Sequence, residues 1–329
     1  MTTKMEKSSQ KRNRFQSDGI QLKQKRNIWK EIKTHKILIL MCLPAIIFFI
    51  VFNYCPLPGV YIAFTNFNYA KGIFGSDFIG FANFDFLISS NKLLMLTRNT
   101  VLYNLAFIIL GNLLQITVAV LLNEVAAKWF RKITQTLMFL PYFISAVLVG
   151  LIVYNIFNSD YGLIPTVIRD LGGEAMSFYS TTWIWPIIIV LVNLWQGTGY
   201  GAVVYFATIC GMDTGIMEAA EIDGANRWQR IRYITIPGLK SIAIILILFS
   251  IGGILKGNFG LFYNIIGPAN SLLMPYTDII ETFVYRAMMN QQNFAQASAV
   301  GLYQSVFGFI IVMLANTIVK KVDSEYALF

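Results

Sequence analysis

Charge is what this sequence has least of. Only 13% of its 329 residues are Asp, Glu, Lys or Arg, where a soluble domain carries about a quarter. Cysteine is nearly absent: Cys42, Cys55 and Cys210 are scattered in or beside apolar runs, which gives neither a disulfide framework nor a metal-ligand spacing. The one histidine, His35, sits in a basic stretch. There is no Gly-x-x-x-x-Gly-Lys-Ser/Thr loop, so the chain is not expected to cradle nucleotide phosphates. His-Glu-x-x-His and Gly-x-Ser-x-Gly are missing too. No catalytic residue, no metal site and no cofactor is expected within the chain, and no repeat of solenoid period is present.

What is there is apolar. Hydrophobic residues make up 56% of the chain, in long blocks rather than in period-2 or period-3.6 stripes, which makes lipid the expected solvent. The net charge of +9 would raise the question of nucleic acid in a soluble protein. Here the first 36 residues hold 11 Lys and Arg against Glu6, Asp18 and Glu31. That pattern suits a cytoplasmic tail facing the membrane surface, with no nucleic-acid partner. The tail is too long for a signal n-region, and no small-residue cleavage site follows Ile37–Phe52, so it is expected to stay uncleaved.

Six spans are expected, at about 37–55, 98–122, 133–157, 182–209, 240–263 and 298–319, each long enough to cross roughly 30 Å of hydrocarbon. Pro44, Pro141 and Pro186 fall inside them, where neighbouring helices can satisfy the freed carbonyls. With the N-terminus inside, 20 of the 26 Lys and Arg lie on the inner side, which puts both termini in the cytoplasm and the polar stretch 211–239 with them. The chain thus divides into a basic tail (1–36), the first span with an outer loop (37–96), a core (97–320) and a short tail (321–329). The outer loop, rich in Gly, Asn and Phe, reads as an interfacial lid or packing loop. Tyr179, Trp183 and Trp185 fit an aromatic belt.

The inner stretch carries the one motif with a mechanism. It reads Glu218-Ala219-Ala220-Glu221-Ile222-Asp223-Gly224-Ala225-Asn226-Arg227-Trp228, then Ile234-Thr235-Ile236-Pro237. Met217 to Asp223 is a good short helix, and Gly224 can take a left-handed conformation and bend the chain. Ala225 to Ile234 can start a second helix anchored by Trp228 and Ile231, and Pro237 marks the return to the membrane. Such an elbow could dock into a cleft of another protein, or lie along the inner leaflet as an amphipathic linker.

The spacing resembles the "EAA" loop of binding-protein-dependent ABC importer permeases: Glu-Ala-Ala, three residues, Gly, then a distal Ile-x-x-Pro. Asp223-Gly224-Ala225 resembles the maltose-type, sugar-importing branch. The outer loop, Arg98-Asn99-Thr100 and Phe139-Leu140-Pro141 are similar to permeases for complex saccharides, without the extra external domain of the maltose permease. The resemblance implies an all-α integral membrane protein with six transmembrane helices in the type I importer (MetI-like) fold, in a bacterial cell membrane. It implies as partners a second permease (a paralogue), two ATP-binding subunits holding ATP and Mg, and an extracellular solute-binding protein that delivers a carbohydrate. Glu218, Ala219, Ala220, Asp223, Gly224 and Ala225 would seat the elbow in the ATPase, with Glu218 as charge or cap partner. A permease for peptides or another small solute, or a self-sufficient carrier, are the competing readings; the absence of an inverted pair of broken helices weighs against the last.

Polar groups inside spans usually face a cavity or a helix partner. Asn104, Asn112, Gln115, Asn193, Trp195, Gln196, Tyr200, Lys256 and Asn258 are the pathway candidates, since amides bond hydroxyls and aromatic faces cover a sugar ring. Lys256 could meet an acidic sugar or snorkel outward. The glycines of 252–260 could break the helix at the pathway. Alternatively, Gly197 with Gly201 and Gly253 with Gly257 are small-residue pairs that pack helices.

Overall fold

The computed structural model describes residues 36–174, 176–267 and 270–322. His35, most of the basic tail and residues 323–329 lie outside them. The chain separates into two compact units, with the boundary between Pro58 and Gly59.

In the first unit, α1 (Lys36–Phe49) runs into a π-helical turn at Ile50–Tyr54. Pro44 lies inside α1, and the described residues of this unit are exposed.

The second unit begins with a packed cap. Strands β1 (Thr65–Asn66) and β2 (Asp77–Phe78) pair antiparallel, Thr65 opposite Phe78. The Asn83 amide, on α2 (Ala82–Ser89), donates to the carbonyls of Ala63 and Thr65 at 2.9 and 3.1 Å. Ala63, Leu87, Leu93 and Leu96 then join a core with Ile280, Phe283 and Val300. The outer loop is therefore structural, a cap on the helices that follow.

α3 (Lys92–Glu124) is a continuous helix longer than the expected 98–122. The Arg98-Asn99-Thr100 triplet near its start acts as a staple. Asn99 Nδ2 donates to the carbonyls of Pro275 and Asp278, and Thr100 Oγ1 accepts from the Ile280 amide. Asp278, buried, is held in turn by Arg286 and by the Thr282 hydroxyl.

The expected third span is not one straight crossing. α4 (Lys128–Phe139) passes through a 3-10 turn at Leu140–Phe143 and bends by 97° into α5 (Ala146–Phe157). Pro141 and the extended Ser145, whose Oγ caps α5 by accepting from the Leu148 amide, impose the break. α6 (Leu163–Asp170) follows, with Pro165 buried and Ile164 packed against the core around Val153 and Trp185.

α7 (Trp185–Cys210) matches the fourth expected span. Pro186 sits in its first turn rather than inside it, where a missing amide costs no helical bond. Trp185 does not belong to a belt: it is fully buried, its indole N–H donates to the Phe178 carbonyl at 2.9 Å, and its ring packs on Tyr179. Trp183 is exposed. Where Gly199 faces α4, any Cβ would overlap the Met138 carbonyl, so this glycine sets how closely α7 approaches the Phe139-Leu140-Pro141 turn.

The fifth expected span, 240–263, is also broken. After α8 (Thr214–Ile222) and α9 (Arg227–Arg230), α10 (Lys240–Gly252) ends at Gly252. Residues 253–258 form a turn and an irregular stretch, and α11 (Phe259–Ile266) restarts with Asn258 as its N-cap. α12 (Ile280–Met289) and α13 (Phe294–Val322) complete the chain. By length and composition four helices can cross a membrane, or up to six if each of two bent pairs, Lys128–Phe143 with Ala146–Phe157 and Arg227–Gly238 with Lys240–Gly252, counts as one span.

Candidate functional site

The elbow links α7 to α10. α8 (Thr214–Ile222) begins three residues before the expected start because Asp213 caps it, accepting from the Gly215 amide at 2.8 Å. Gly224 has φ +78°. Around it the Ala225 amide donates to the Ala220 carbonyl and the Gly224 amide to the Glu221 carbonyl, the bond pair of a Schellman stop.

α9 (Arg227–Arg230) then opens with a capping box: Asn226 and Gln229 exchange side-chain and backbone bonds at 2.9 and 2.7 Å. Glu221 reaches across the bend to Arg230 at 2.9 Å. A π turn, Ile231–Thr235, and a helical turn, Ile236–Gly238, lead to a 49° bend into α10.

The return leg is anchored. Leu239 is buried with Ala119, Val120, Tyr205 and Ile209, and Ile231 packs against them. Trp228, expected as the second anchor, is 65% exposed instead, and Ile222 is 87% exposed. Glu218, expected as a charge or cap partner, caps nothing: Asp213 fills that role, and Glu218 is exposed with no partner among the described residues. Ala219, Asp223 and Gly224 are exposed, Ala220 and Ala225 half-buried. The result is a rigid, twice-capped corner that presents apolar side chains outward.

The second site is a cavity of about 470 Å³ between α3, α7, α10 and the 253–258 break. Asn104, Asn112 and Gln115 come from α3, Asn193 and Tyr200 from α7, and Lys256 and Asn258 from the break; Phe107, Ile108, Val204, Leu246 and Phe249 supply apolar wall. Trp195 and Gln196 do not line it. The Gln196 amide donates to the Ile144 carbonyl at 3.0 Å, satisfying backbone freed at the α4–α5 bend.

The polar lining divides by what is already committed. Asn112 accepts from Tyr205 Oη at 2.6 Å and donates to the Ile108 carbonyl. Asn258 caps α11 through the Leu261 amide. Asn104 donates to the carbonyls of Ile254 and Lys256 at 2.9 and 3.1 Å. By contrast, the side chains of Gln115, Asn193 and Lys256 and the Tyr200 hydroxyl have no hydrogen-bond partner among the described residues. The Tyr200 ring stacks on Tyr142 at 4.7 Å.

Sequence reasoning missed Gln304. Its amide, from the last helix, donates to the Leu255 carbonyl at 2.6 Å and to Glu281 Oε1 at 2.7 Å. The signal was a lone amide inside an apolar helix. The apolar wall residues gave no signal, because every span is apolar.

Long apolar helices, two of them broken, enclosing a polar cavity and linked by a capped, protruding elbow, define a multi-span membrane translocation subunit. Residues 108–324 match the family described as binding-protein-dependent transport system inner membrane component, and the chain belongs to that family, whose members are permease subunits and not enzymes. The chain is 34% identical to the polygalacturonan/rhamnogalacturonan transport system permease protein YteP of Bacillus subtilis, over 92% of this chain and 93% of that protein. It is 34% identical to protein LplB of the same organism, over 89% and 92%. Among solved structures it is similar to a bacterial ABC transporter involved in import of the acidic polysaccharide alginate, with a TM-score of 0.82 and 29% identity over 90% of this chain and 99% of that one. A second structure, of the bacterial alginate ABC transporter in complex with its alginate pentasaccharide-bound periplasmic protein, gives 0.80 and 28% over 89% and 97%.

Proposed function

We propose that this chain is a permease subunit of an ABC importer that moves a sugar or oligosaccharide, delivered by an extracellular binding protein, through the cavity between α3, α7 and α10. The observation that carries the reading is the set of uncommitted polar groups there. The amides of Gln115 and Asn193 and the Tyr200 hydroxyl face a space large enough for a sugar ring and can bond its hydroxyls. The relatives support the class: those named for a substrate carry polygalacturonan or rhamnogalacturonan and alginate, all carbohydrate polymers.

In this reading both termini and the elbow lie in the cytoplasm, as the Lys and Arg asymmetry favours. A second permease, a paralogue, completes the pathway, and two partner subunits hold ATP and Mg²⁺. Glu218, Ala219, Ala220, Asp223, Gly224 and Ala225 form the surface that seats in the ATPase, and the closing of the two ATPases turns the membrane helices as rigid bodies. The test is uptake of labelled oligosaccharides by cells whose only copy of this chain is wild type or Asn193→Ala. Saccharide-specific, ATP-dependent uptake by the wild type, reduced in the variant, is expected. ATP-independent uptake, or uptake of peptides in place of saccharides, overturns the reading.

A further inference from the structure

The cavity's charge inventory is uneven. Among the described residues, Asn, Gln, Tyr and Ser supply its other polar lining, no carboxylate lines it, and Lys256 alone carries a formal charge. The Lys256 ammonium has neither a hydrogen bond nor an ion pair among the described residues. Lys256 is exposed, and a cation with no ion pair on a translocation path is a natural contact for an anion.

The backbone under Lys256 is built rather than frayed. Where α10 stops, three successive carbonyls each accept a side-chain amide. Asn104 holds those of Ile254 and Lys256, and Gln304 holds that of Leu255. Asn258 then starts the next helix. Two distant helices thus fix the residue that carries the charge.

Glu281 is the nearest carboxylate to feel this charge, but it forms no ion pair with it. Its Oε1 is taken by Gln304, and its Oε2 is buried without a hydrogen-bond partner, against Gly257. Burial pushes this carboxyl above the ordinary carboxylate range, against the lowering effect of neighbouring backbone amides, Gln304 and the Lys256 charge. No contact within ion-pair distance joins the two.

We infer that Lys256 is a specificity-determining residue whose ammonium reads a carboxylate on the transported saccharide, so that the cavity takes uronate-bearing oligosaccharides in preference to neutral ones. This rests on the cavity being the translocation path. A lysine suits the task, because an ammonium on a flexible stem pairs with a carboxylate without demanding one fixed geometry. The hydroxyls of the same sugar fall to Gln115, Asn193 and Tyr200.

The test uses cells whose only copy of this chain is wild type, Lys256→Gln or Lys256→Arg, with the importer's own partners in place. The probes are short oligogalacturonates, oligomannuronates and their neutral methyl esters. Lys256→Gln is expected to lower uronate uptake about tenfold, the loss of one charge-assisted contact, and to leave ester uptake and the co-purified ATPase unchanged. Lys256→Arg is expected to retain uronate uptake. Wild-type uronate uptake in Lys256→Gln overturns the inference, as does equal loss of acid and ester. If Lys256→Gln fails to accumulate, loss of uronate uptake by well-assembled Lys256→Arg overturns it instead. A wild type that imports only neutral saccharides defeats this inference and spares the carbohydrate reading, whereas one that imports no saccharide defeats both.

Discussion

Gly224 and Gly199 serve opposite needs. Gly224 has open space around it and a φ that an L side chain adopts with strain; Gly199 has no room for a side chain at all. Gly224→Ala is therefore expected to cost about 1 kcal/mol in the elbow alone. The protein should insert and stay folded, while the uptake obtained per ATP hydrolysed by the reconstituted importer falls. Gly199→Ala overpacks α7 against the α4–α5 bend at a cost of about 1–3 kcal/mol, and should lower the unfolding temperature in detergent. The sequence made Gly224 legible, because a glycine closing a short helix has few other uses. It pointed to Gly197 with Gly201 and Gly253 with Gly257 as packing pairs; a Cβ would collide with Gln115 at Gly201 and with Ile279 at Gly257, yet one on Gly197 meets nothing within 4 Å and one on Gly253 meets only its own turn. Helical spacing tells which residues share a face, not which face meets a neighbour's backbone.

At the scale of elements, hydropathy located the long helices to within several residues at most and missed the α4–α5 bend, since a window average does not register one; the break at 253–258 was legible instead in the glycines of 252–260. The partners that make each break tolerable come from far along the chain. Gln196 is 52 residues from the carbonyl it serves, and Asn104 is 150 and 152 residues from its two. That is why Gln196 read as a pathway residue and is a structural one. Asn104→Leu, which strips two carbonyls of their donor at the 253–258 break, is expected to destabilise the fold by about 1–3 kcal/mol, seen as a lower melting temperature in detergent. The elbow offers a contrast. Asn226→Ala removes the capping box and should cost roughly 0.5–2 kcal/mol. Glu221→Gln removes an ion pair whose carboxylate is 70% exposed and should change stability by less than about 1 kcal/mol. Thermal melts of the two variants side by side check the order.

For the whole molecule, the membrane class was written in composition and the elbow in one short motif, whereas the cavity needed the fold. Its free groups become visible only once Asn112, Asn258 and Asn104 are seen to be engaged. The elbow's return leg is buried against α3 and α7, the helices that line the cavity, through Leu239, Tyr205 and Ile209. A push on the elbow is thus carried by packed side chains to the helices around the cavity. The exposed Ile222 at its tip marks where that push would enter. A photo-crosslinking amino acid placed at position 222, in cells carrying the full importer, tests this most directly. The account predicts a specific crosslink to an ATP-binding subunit whose yield changes when ATP is trapped; crosslinks to lipid alone, whatever the nucleotide state, would contradict it.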